Sequence, residues 1–404
     1  MLSEKAIDKL ILPLINRQSQ IEGVVISSIA KRLKEIKTMT PSDIYKLERL
    51  LKTGNDAKVI NKKISKLTKL SEKEIKKIIK TVAEDAYKDV KPFYDYRHKS
   101  YIPFNENIEL KTAIKAIERV TLSEYIGLSN STAFMLRDAA NPLILRPTSI
   151  SKTYNTIIDN AIQAVASGLD SYNQIIPKSI EQLIDSGLKT IEYTTDSGEK
   201  HYVRLDSVVK RNILDGIRNV QQEVQNITGE QFGANGVEIS VHQYSAPDHE
   251  PVQGHQLTKE EFEKMQLGQD FQDVNGIRFK GFSRPIGVWN CRHIGWNIVI
   301  EHKTPNYTLE QLEELKNKNA NGITVKTKQG KNEKRSMYWC TQKRNDYELK
   351  IKQLKEGQAM AEKAMQTDLA NKYNNKVINM QNKYIAFCKS CGLATRHENT
   401  RVYV

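Results

Sequence analysis

The sequence predicts an α+β protein in which mostly helical N-terminal and C-terminal arms flank a small α+β core module. Apolar residues recur at helical spacing through most of residues 1–188 and again through 307–404. Between them, residues 189–306 carry the two-residue alternation and the glycine-bearing turns that are typical of strands. We therefore expect a helical N-terminal region (1–188), the core module (189–306) and a helical C-terminal region with one long helix (307–404). A chain of 404 residues is long enough for two or three such domains.

The N-terminal region is predicted to hold helices separated by capping residues and turns. Thr40 and Pro41 predict the start of one helix, because a hydroxyl can cap the first turn and proline fits there, and Gly54 ends it. The segment Ser71–Glu74 reads as a capping box that starts another helix. A further helical block is predicted over 106–187, with breaks at its prolines.

An aromatic segment between Lys91 and Phe104 is predicted as a loop, because Pro92 ends the preceding helix. We favour a hinge that packs on its neighbours, since buried rings dominate packing. The alternative is a surface on which nucleic-acid bases stack. The rings concerned are Phe93, Tyr94, Tyr96 and Tyr101.

The core module is predicted to begin with a β-hairpin, because residues 191–195 and 201–205 alternate on either side of a turn at Gly198. A helix capped by Asp206 or Ser207 follows, and then a strand over 237–242. The order strand, strand, helix, strand indicates a small α+β module.

The C-terminal region is predicted to contain a helix from Thr308, a β-turn insert around 323–325 and one long helix over 338–388. No apolar run reaches membrane-spanning length, and the first residues lack the pattern of a signal peptide. We therefore expect no membrane association and synthesis in a cytoplasm.

The net charge of +14 is concentrated in the two arms. Residues 1–100 hold 23 Lys and Arg against 13 Asp and Glu, and residues 301–404 hold 20 against 11. The middle of the chain is mildly acidic. Basic arms of this kind can bind nucleic acid or an acidic protein ring, whereas a lysine-rich solvated surface is the alternative.

Residues that can carry chemistry concentrate between Val237 and His302. This stretch holds five of the eight histidines, two of the three tryptophans and one of the four cysteines. Two motifs stand out, one over Ser240–Gly254 and one over Trp289–His293. The candidate site residues are His242, His249, Gln253, Gly254, Trp289, Asn290, Cys291, Arg292 and His293.

These two motifs resemble the signature of the phage minor capsid protein 2 family, whose members are minor head components of tailed phages and are distantly similar to Mu F-type head-morphogenesis proteins. A weaker resemblance continues over Lys383–Leu393 and Thr400–Val402. The chain departs from the family pattern at Tyr244, where a Gly-Ala-Arg-Pro run usually begins, and at Val252, where tryptophan is usual.

The resemblance implies a structural virion protein of the phage head, assembled in the host cytoplasm in few copies beside the portal. Its implied partners are the portal protein, other capsid or scaffold proteins and packaged double-stranded DNA, and its implied role is in head assembly or in DNA packaging or ejection. We expect no enzyme activity and no cofactor. We assign the motif residues to holding the loops of the core module.

Other chemistry remains open. His242, His249, Cys291 and His293 together offer zinc three nitrogens and one thiolate, although their spacing matches no closed zinc motif. The alternative is that they hold loops by hydrogen bonds. Cys388 and Cys391, with His397 and the distant Cys340, form at most half a zinc site, and we predict that these cysteines are small core residues.

Two further functions compete with the structural one. A nucleic-acid enzyme or injected effector would use His242 or His249 as general acid or base, with Arg292 or Lys280 on a phosphate. A Cys291–His nucleophile pair belongs to the same class. A DNA-binding module would instead use the basic arms and lose affinity steeply with salt.

Overall fold

The computed structural model describes residues 2–40, 43, 46–47, 55–137, 144–166, 169–195, 198–287, 291–326 and 330–404. Contacts group the chain into two compact units, each assembled from three separate stretches. The first unit comprises Met1–Ile11, Glu74–Ser123 and Arg211–Lys343, and the second comprises Leu12–Lys73, Glu124–Lys210 and Arg344–Val404. The division into three regions at residues 188 and 306 stays a prediction.

The described residues combine long helices with short antiparallel sheets, which confirms the α+β class with helical arms. The helices are α1 (Glu4–Lys37), α2 (Asn55–Lys88), α3 (Lys91–Tyr96), α4 (Ile108–Asn130), α5 (Ile150–Ala166), α6 (Leu169–Ser186), α7 (Leu205–Phe232), α8 (Lys259–Gln266), α9 (Leu309–Ala320), α10 (Met337–Lys363) and α11 (Thr367–Ser390). Over the described ranges, no helix is long and apolar enough to cross a membrane.

Among the described residues, the strands form four antiparallel sheets with the orders β2-β1-β3-β4, β6-β5-β9, β7-β8 and β10-β11. Their bounds are β1 (Ala133–Arg137), β2 (Leu145–Ser149), β3 (Lys189–Thr194), β4 (Lys200–Arg204), β5 (Gly236–Ile239), β6 (Gln256–Thr258), β7 (Phe271–Gln272), β8 (Arg278–Phe279), β9 (Gly295–Ile298), β10 (Ile323–Lys326) and β11 (Asn332–Arg335).

The predicted hairpin is confirmed as the antiparallel pair β3 and β4. It belongs to the second unit, where β3 also pairs with β1. The helical block predicted over 106–187 is therefore wrong at β1, whereas β2 spans the break predicted at Pro147. Pro147 lies in β2 at the edge of the sheet, where a missing N–H is tolerated although proline disfavours a helix interior.

The sheet of the first unit has β5 at its centre, paired with β6 and β9. The strand predicted over 237–242 is thus shorter than expected. The helix α7 approaches β9 closely at Gly229, where a Cβ atom would lie 2.6 Å from the Asn297 Cβ. Buried residues on and around β5 and β6 form the core beneath the site, and they include Val237, Ile239, Val252, Leu257, Phe271 and Cys291.

The aromatic segment forms helix α3 over its first six residues, so its prediction as a loop is wrong there. Pro92 occupies the first turn of α3, where its fixed φ favours a helix start. The rings pack within the first unit: Phe93 stacks on Phe232 at 5.1 Å, and the Tyr94 hydroxyl donates a 2.6 Å hydrogen bond to Gln231. These contacts favour packing over base stacking.

Three predicted helix starts have different outcomes. The start predicted at Thr308 is confirmed, and in the structure Thr308 caps α9 in a complete capping box with Gln311. Ser71 instead lies inside the continuous helix α2, fully buried, and accepts a hydrogen bond from Gln18 at 3.4 Å, so no helix begins there. The Asp43 N–H donates to Thr40 Oγ1 at 3.3 Å, whereas Pro41 and Gly54 lie outside the described residues.

The predicted β insert is confirmed as the pair β10 and β11. The single long helix predicted over 338–388 is two helices, α10 and α11. Met365 adopts a left-handed conformation (φ 56°) between them, which ends α10 because a helix cannot continue through that backbone region.

The second unit also buries a group of charges, which we call the ion cluster. Arg204 lies 2.9 Å from Glu22 and 3.4 Å from Asp206, and Lys352 bonds to the same Asp206 carboxylate. Glu356 lies 3.8 Å from Arg204 and is 2% exposed. Buried charges of this kind are stable only when they are paired.

Candidate functional site

Two loops of the first unit bring most of the predicted site residues together. The first loop leaves β5 at Ser240 and re-enters the sheet at Gly254, whose N–H donates to the Ile239 carbonyl at 2.8 Å. The second loop contains Cys291 and leads into β9. Ser240 joins the loops, because its N–H donates to the Ile294 carbonyl and its Oγ accepts from the Ile294 N–H, both at 2.9 Å.

Three side chains meet where these loops touch, and we call His249, Cys291 and His293 the His–Cys cluster. The Cys291 Sγ lies 3.1 Å from His249 Nδ1 and 3.4 Å from His293 Nδ1. The three ligand atoms all lie within 4.8 Å of one another. His249 is fully buried, and the other two side chains are 5% exposed.

In each imidazole of the cluster, the nitrogen that does not face Cys291 contacts an oxygen. The carbonyl of Arg284 accepts from His249 Nε2 at 2.6 Å. The Arg284 guanidinium itself binds the Asp248 carboxylate through two nitrogens, at 2.7 and 2.8 Å. This bidentate pair fixes Arg284 beside His249.

Gln253 holds the second imidazole and links it to the first loop. Its Oε1 accepts from the His242 N–H at 3.0 Å and lies 3.4 Å from His293 Nε2. The His242 ring stands edge-on to the His293 ring with 4.7 Å between centroids, and His242 Nε2 lies 3.0 Å from Ser240 Oγ. His242 is therefore a neighbour of the cluster, and its ring is turned to Ser240.

The electrostatics of the cluster follow from burial and from the sulfur between the rings. Burial acts to lower the pKa of His249, but its hydrogen bonds to Cys291 and to the Arg284 carbonyl raise that pKa above its ordinary value. Burial acts to raise the pKa of Cys291, and the bond to His249 lowers it below its ordinary value. Burial, reinforced by His242 and His249, lowers the pKa of His293 to about 2. The bond to His249 therefore makes the buried Cys291 thiol more acidic than an ordinary thiol.

The remaining predicted residues take different positions. Gly254 is buried with φ 77°, a conformation that favours glycine. Arg292 is exposed and points away from the buried cluster residues on either side of it. Trp289 and Asn290 lie outside the described residues. Lys280, the other proposed phosphate ligand, is exposed and bonds to Asp270 at 2.7 Å.

Sequence reasoning missed three residues that position the cluster. Asp248 directly precedes His249, so its position next to a candidate site residue could have identified it. Arg284 lies 35 residues from His249 and carried no spacing signal. Ser245 lies 3.4 Å from His293 Nε2, and its backbone carbonyl accepts from Asn319 at 3.0 Å.

The other cysteines are buried, as predicted for small core residues. Cys388 packs with Ile351 and Tyr384, and Cys340 and Cys391 are also buried. Within the described ranges, the His–Cys cluster is the one group of three potential metal-ligating side chains.

A cavity of about 510 Å³ lies elsewhere in the first unit, between α3 and β9. Its lining includes Phe93, Glu238, Trp296 and His302. No described motif residue lines it, so the cavity and the motif are separate features of the fold.

In the first unit, the motif residues join two loops beside a small antiparallel sheet. The model of the family described as phage minor capsid protein 2 matches residues 2–389. The chain belongs to this family and is a minor capsid protein of a phage. Membership implies a place in the virion and interaction with other capsid components. No curated protein and no solved structure matches the chain.

Proposed function

We propose that the chain is a structural component of a tailed-phage head that binds the portal and takes part in head assembly or in DNA packaging or ejection, after assembly in the host cytoplasm. The observation that carries this proposal is the family match over residues 2–389, which takes in both arms and the core. Its partners would be the portal protein and other capsid or scaffold proteins.

The geometry of the motif supports a structural role over a catalytic one. The side chains of His249, Gln253, Cys291 and His293 are buried and bonded to one another or to backbone. A general acid or base must reach a bound substrate, which these buried groups do not. We therefore propose that the motif residues hold the two loops together and carry out no turnover.

Particle microscopy tests the proposal directly. Phage particles that carry the tagged protein are imaged, and mass spectrometry counts its copies. We expect tag density at one capsid vertex in low copy number. Absence from purified particles, with free protein in the infected cell, would overturn the proposal and redirect work to nuclease assays on His242 and His249.

A specific feature of α2 supports contact with packaged DNA as part of this role. In the second unit, five exposed lysines follow one another at intervals of three or four residues, which places them on one face of the helix. The stripe spans 16 residues, or about 22 Å at the rise of an α-helix. Duplex DNA carries about one phosphate charge per 1.7 Å, so such a stripe matches several phosphates. The residues are Lys58, Lys62, Lys66, Lys69 and Lys73.

Salt-dependent binding to duplex DNA tests the stripe. A variant with all five lysines changed to glutamine should bind more weakly at low salt. The magnitude of its slope of log affinity against log salt should fall by up to about 4.5, since each phosphate contact contributes about 0.9. A matched control changes five scattered exposed lysines and should keep most of the slope. Equal loss in both variants would refute a specific stripe. The control residues are Lys115, Lys200, Lys259, Lys316 and Lys383.

A further inference from the structure

We propose that His249, Cys291 and His293 bind a zinc ion that joins the two loops of the first unit. The inference goes beyond the capsid role and does not depend on contact with the portal or DNA. It rests on which nitrogen of each imidazole faces the sulfur.

The hydrogen bonds of Gln253 fix the orientation of His293. The backbone N–H of His242 can only donate, so the Gln253 atom that it meets at 3.0 Å is the oxygen. The same oxygen lies 3.4 Å from His293 Nε2, so Nε2 must carry the proton. His293 therefore presents the lone pair of Nδ1 to Cys291.

An independent contact fixes His249 in the same way. The carbonyl of Arg284 can only accept, so His249 Nε2 donates to it across 2.6 Å. The Nδ1 lone pair of the neutral ring then also points at the Cys291 sulfur, 3.1 Å away. Zinc-binding histidines commonly have this arrangement, in which one nitrogen faces the metal and the other donates to an oxygen.

Three lone-pair atoms thus converge. A single thiol proton can satisfy only one of the two imidazoles, and the other donor near them is the Arg284 guanidinium, 3.4 Å from His249 Nδ1. A soft divalent cation satisfies all three at once. Bonds of about 2.3 Å to sulfur and about 2.0–2.1 Å to nitrogen place tetrahedral ligand atoms roughly 3.5 Å apart. The observed sulfur–nitrogen distances of 3.1 and 3.4 Å are close to that separation.

The ligand set suits a soft or borderline cation such as zinc. One thiolate and two imidazoles suit zinc and disfavour the hard cations magnesium and calcium. Three protein ligands leave a fourth position for water. The Arg284 guanidinium lies 3.4 Å from His249 Nδ1, but the short bonds to Asp248 neutralise its charge. His242, which belonged to the sequence-based zinc set, acts in this proposal only as a neighbour of His293.

Cobalt spectroscopy of the full-length chain tests the site. The purified protein is stripped with a chelator and titrated with Co²⁺. We expect one equivalent to give the visible bands of tetrahedral cobalt and a sulfur-to-cobalt charge-transfer band, and Zn²⁺ to displace both. Cys291→Ala should abolish the charge-transfer band. Cys340→Ala, which changes another buried cysteine, should keep it.

Two results would overturn the proposal: wild-type protein that gives no tetrahedral cobalt spectrum, and a charge-transfer band that survives in Cys291→Ala. If Cys291→Ala fails to fold, X-ray absorption of the zinc-loaded wild type decides the question. A sulfur shell at about 2.3 Å with nitrogen shells at about 2.0–2.1 Å supports the site, and a shell of oxygen alone refutes it.

Discussion

Two buried polar clusters stabilise the two units by different means. The His–Cys cluster uses groups that can be neutral, and its three members lie within 45 residues of the chain. The ion cluster uses full charges whose partners are far apart in sequence: Arg204 and Glu22 are 182 residues apart, and Lys352 and Asp206 are 146 apart. The first cluster can hold together two local loops, whereas the second ties distant helices into one unit.

Because only the ion cluster holds full charges, the loss of one of its members should cost more folding free energy than a loss in the His–Cys cluster. A buried ion left without its partner cannot easily become neutral, whereas a buried histidine can remain uncharged. The ion cluster also has polar atoms, Arg204 Nη1 and Glu356 Oε2, that find no hydrogen-bond partner within the described ranges. We therefore expect the second unit to respond more strongly to substitution and to pH.

The largest predicted effect is that of Arg204→Met. This change removes the cation that faces Glu22, Asp206 and Glu356, and breaking a buried ion pair costs about 3–5 kcal/mol. Urea unfolding followed by circular dichroism measures the loss. The control Arg401→Met changes an exposed arginine of the same unit and should stay within about 0.5 kcal/mol.

Cys291→Ala in metal-free protein provides the comparison and should cost roughly 1 kcal/mol, near the centre of the distribution for point substitutions. If Arg204→Met cost less than Cys291→Ala, the proposed contrast between the clusters would be wrong.

These clusters also differ in how far sequence could predict them. The sequence could predict the His–Cys cluster, because His249, Cys291 and His293 lie in two compact motifs. The ion cluster was not, because charged residues are almost always exposed and nothing in the spacing of Glu22, Arg204 and Lys352 signals burial.

The same limit applies to the fold. Local signals predicted the β3–β4 hairpin and the start of α9 at Thr308, since each depends on a few adjacent residues. They failed at Ser71, where the capping pattern was correct in itself but the side chain faces Gln18 in the core. They also failed at β1, whose pairing with β3 depends on a partner more than 50 residues away.

The next largest expected effect is a pH dependence of folding stability that is caused by Glu356. Burial, together with repulsion from Glu22, raises the pKa of Glu356 to about 8, because three carboxyl groups face only two cations and one of them keeps its proton. A raised folded-state pKa stabilises the folded state fully below the unfolded value of 4.5, and this contribution is lost as pH rises through about 8.

Glu356→Gln isolates that contribution, because glutamine resembles the protonated acid and cannot lose the proton. Between pH 6 and pH 9 the wild type should lose roughly 1–3 kcal/mol more of its unfolding free energy than the variant, at 1.36 kcal/mol per unit of pKa shift. Asp206 does not interfere, since its neighbours hold its pKa below the ordinary value and it titrates only in acid. Parallel pH profiles for the two proteins would assign the proton to another group.

The smallest predicted effect tests how tightly the loop of the His–Cys cluster is held. Gly254 and Gly276 share a left-handed backbone, with φ of 77° and 82°, so alanine costs each about 1 kcal/mol in backbone strain. Only at Gly254 would the new Cβ atom meet a neighbour, 2.5 Å from Leu312 Cδ2, whereas nothing lies within 4 Å at Gly276. In urea unfolding, Gly254→Ala should therefore lower the free energy of unfolding by about 1–2 kcal/mol more than Gly276→Ala does, because of overpacking. Equal costs would mean that Leu312 moves aside, and that hydrogen bonds and the proposed zinc ion, rather than packing, fix the loop that carries His249.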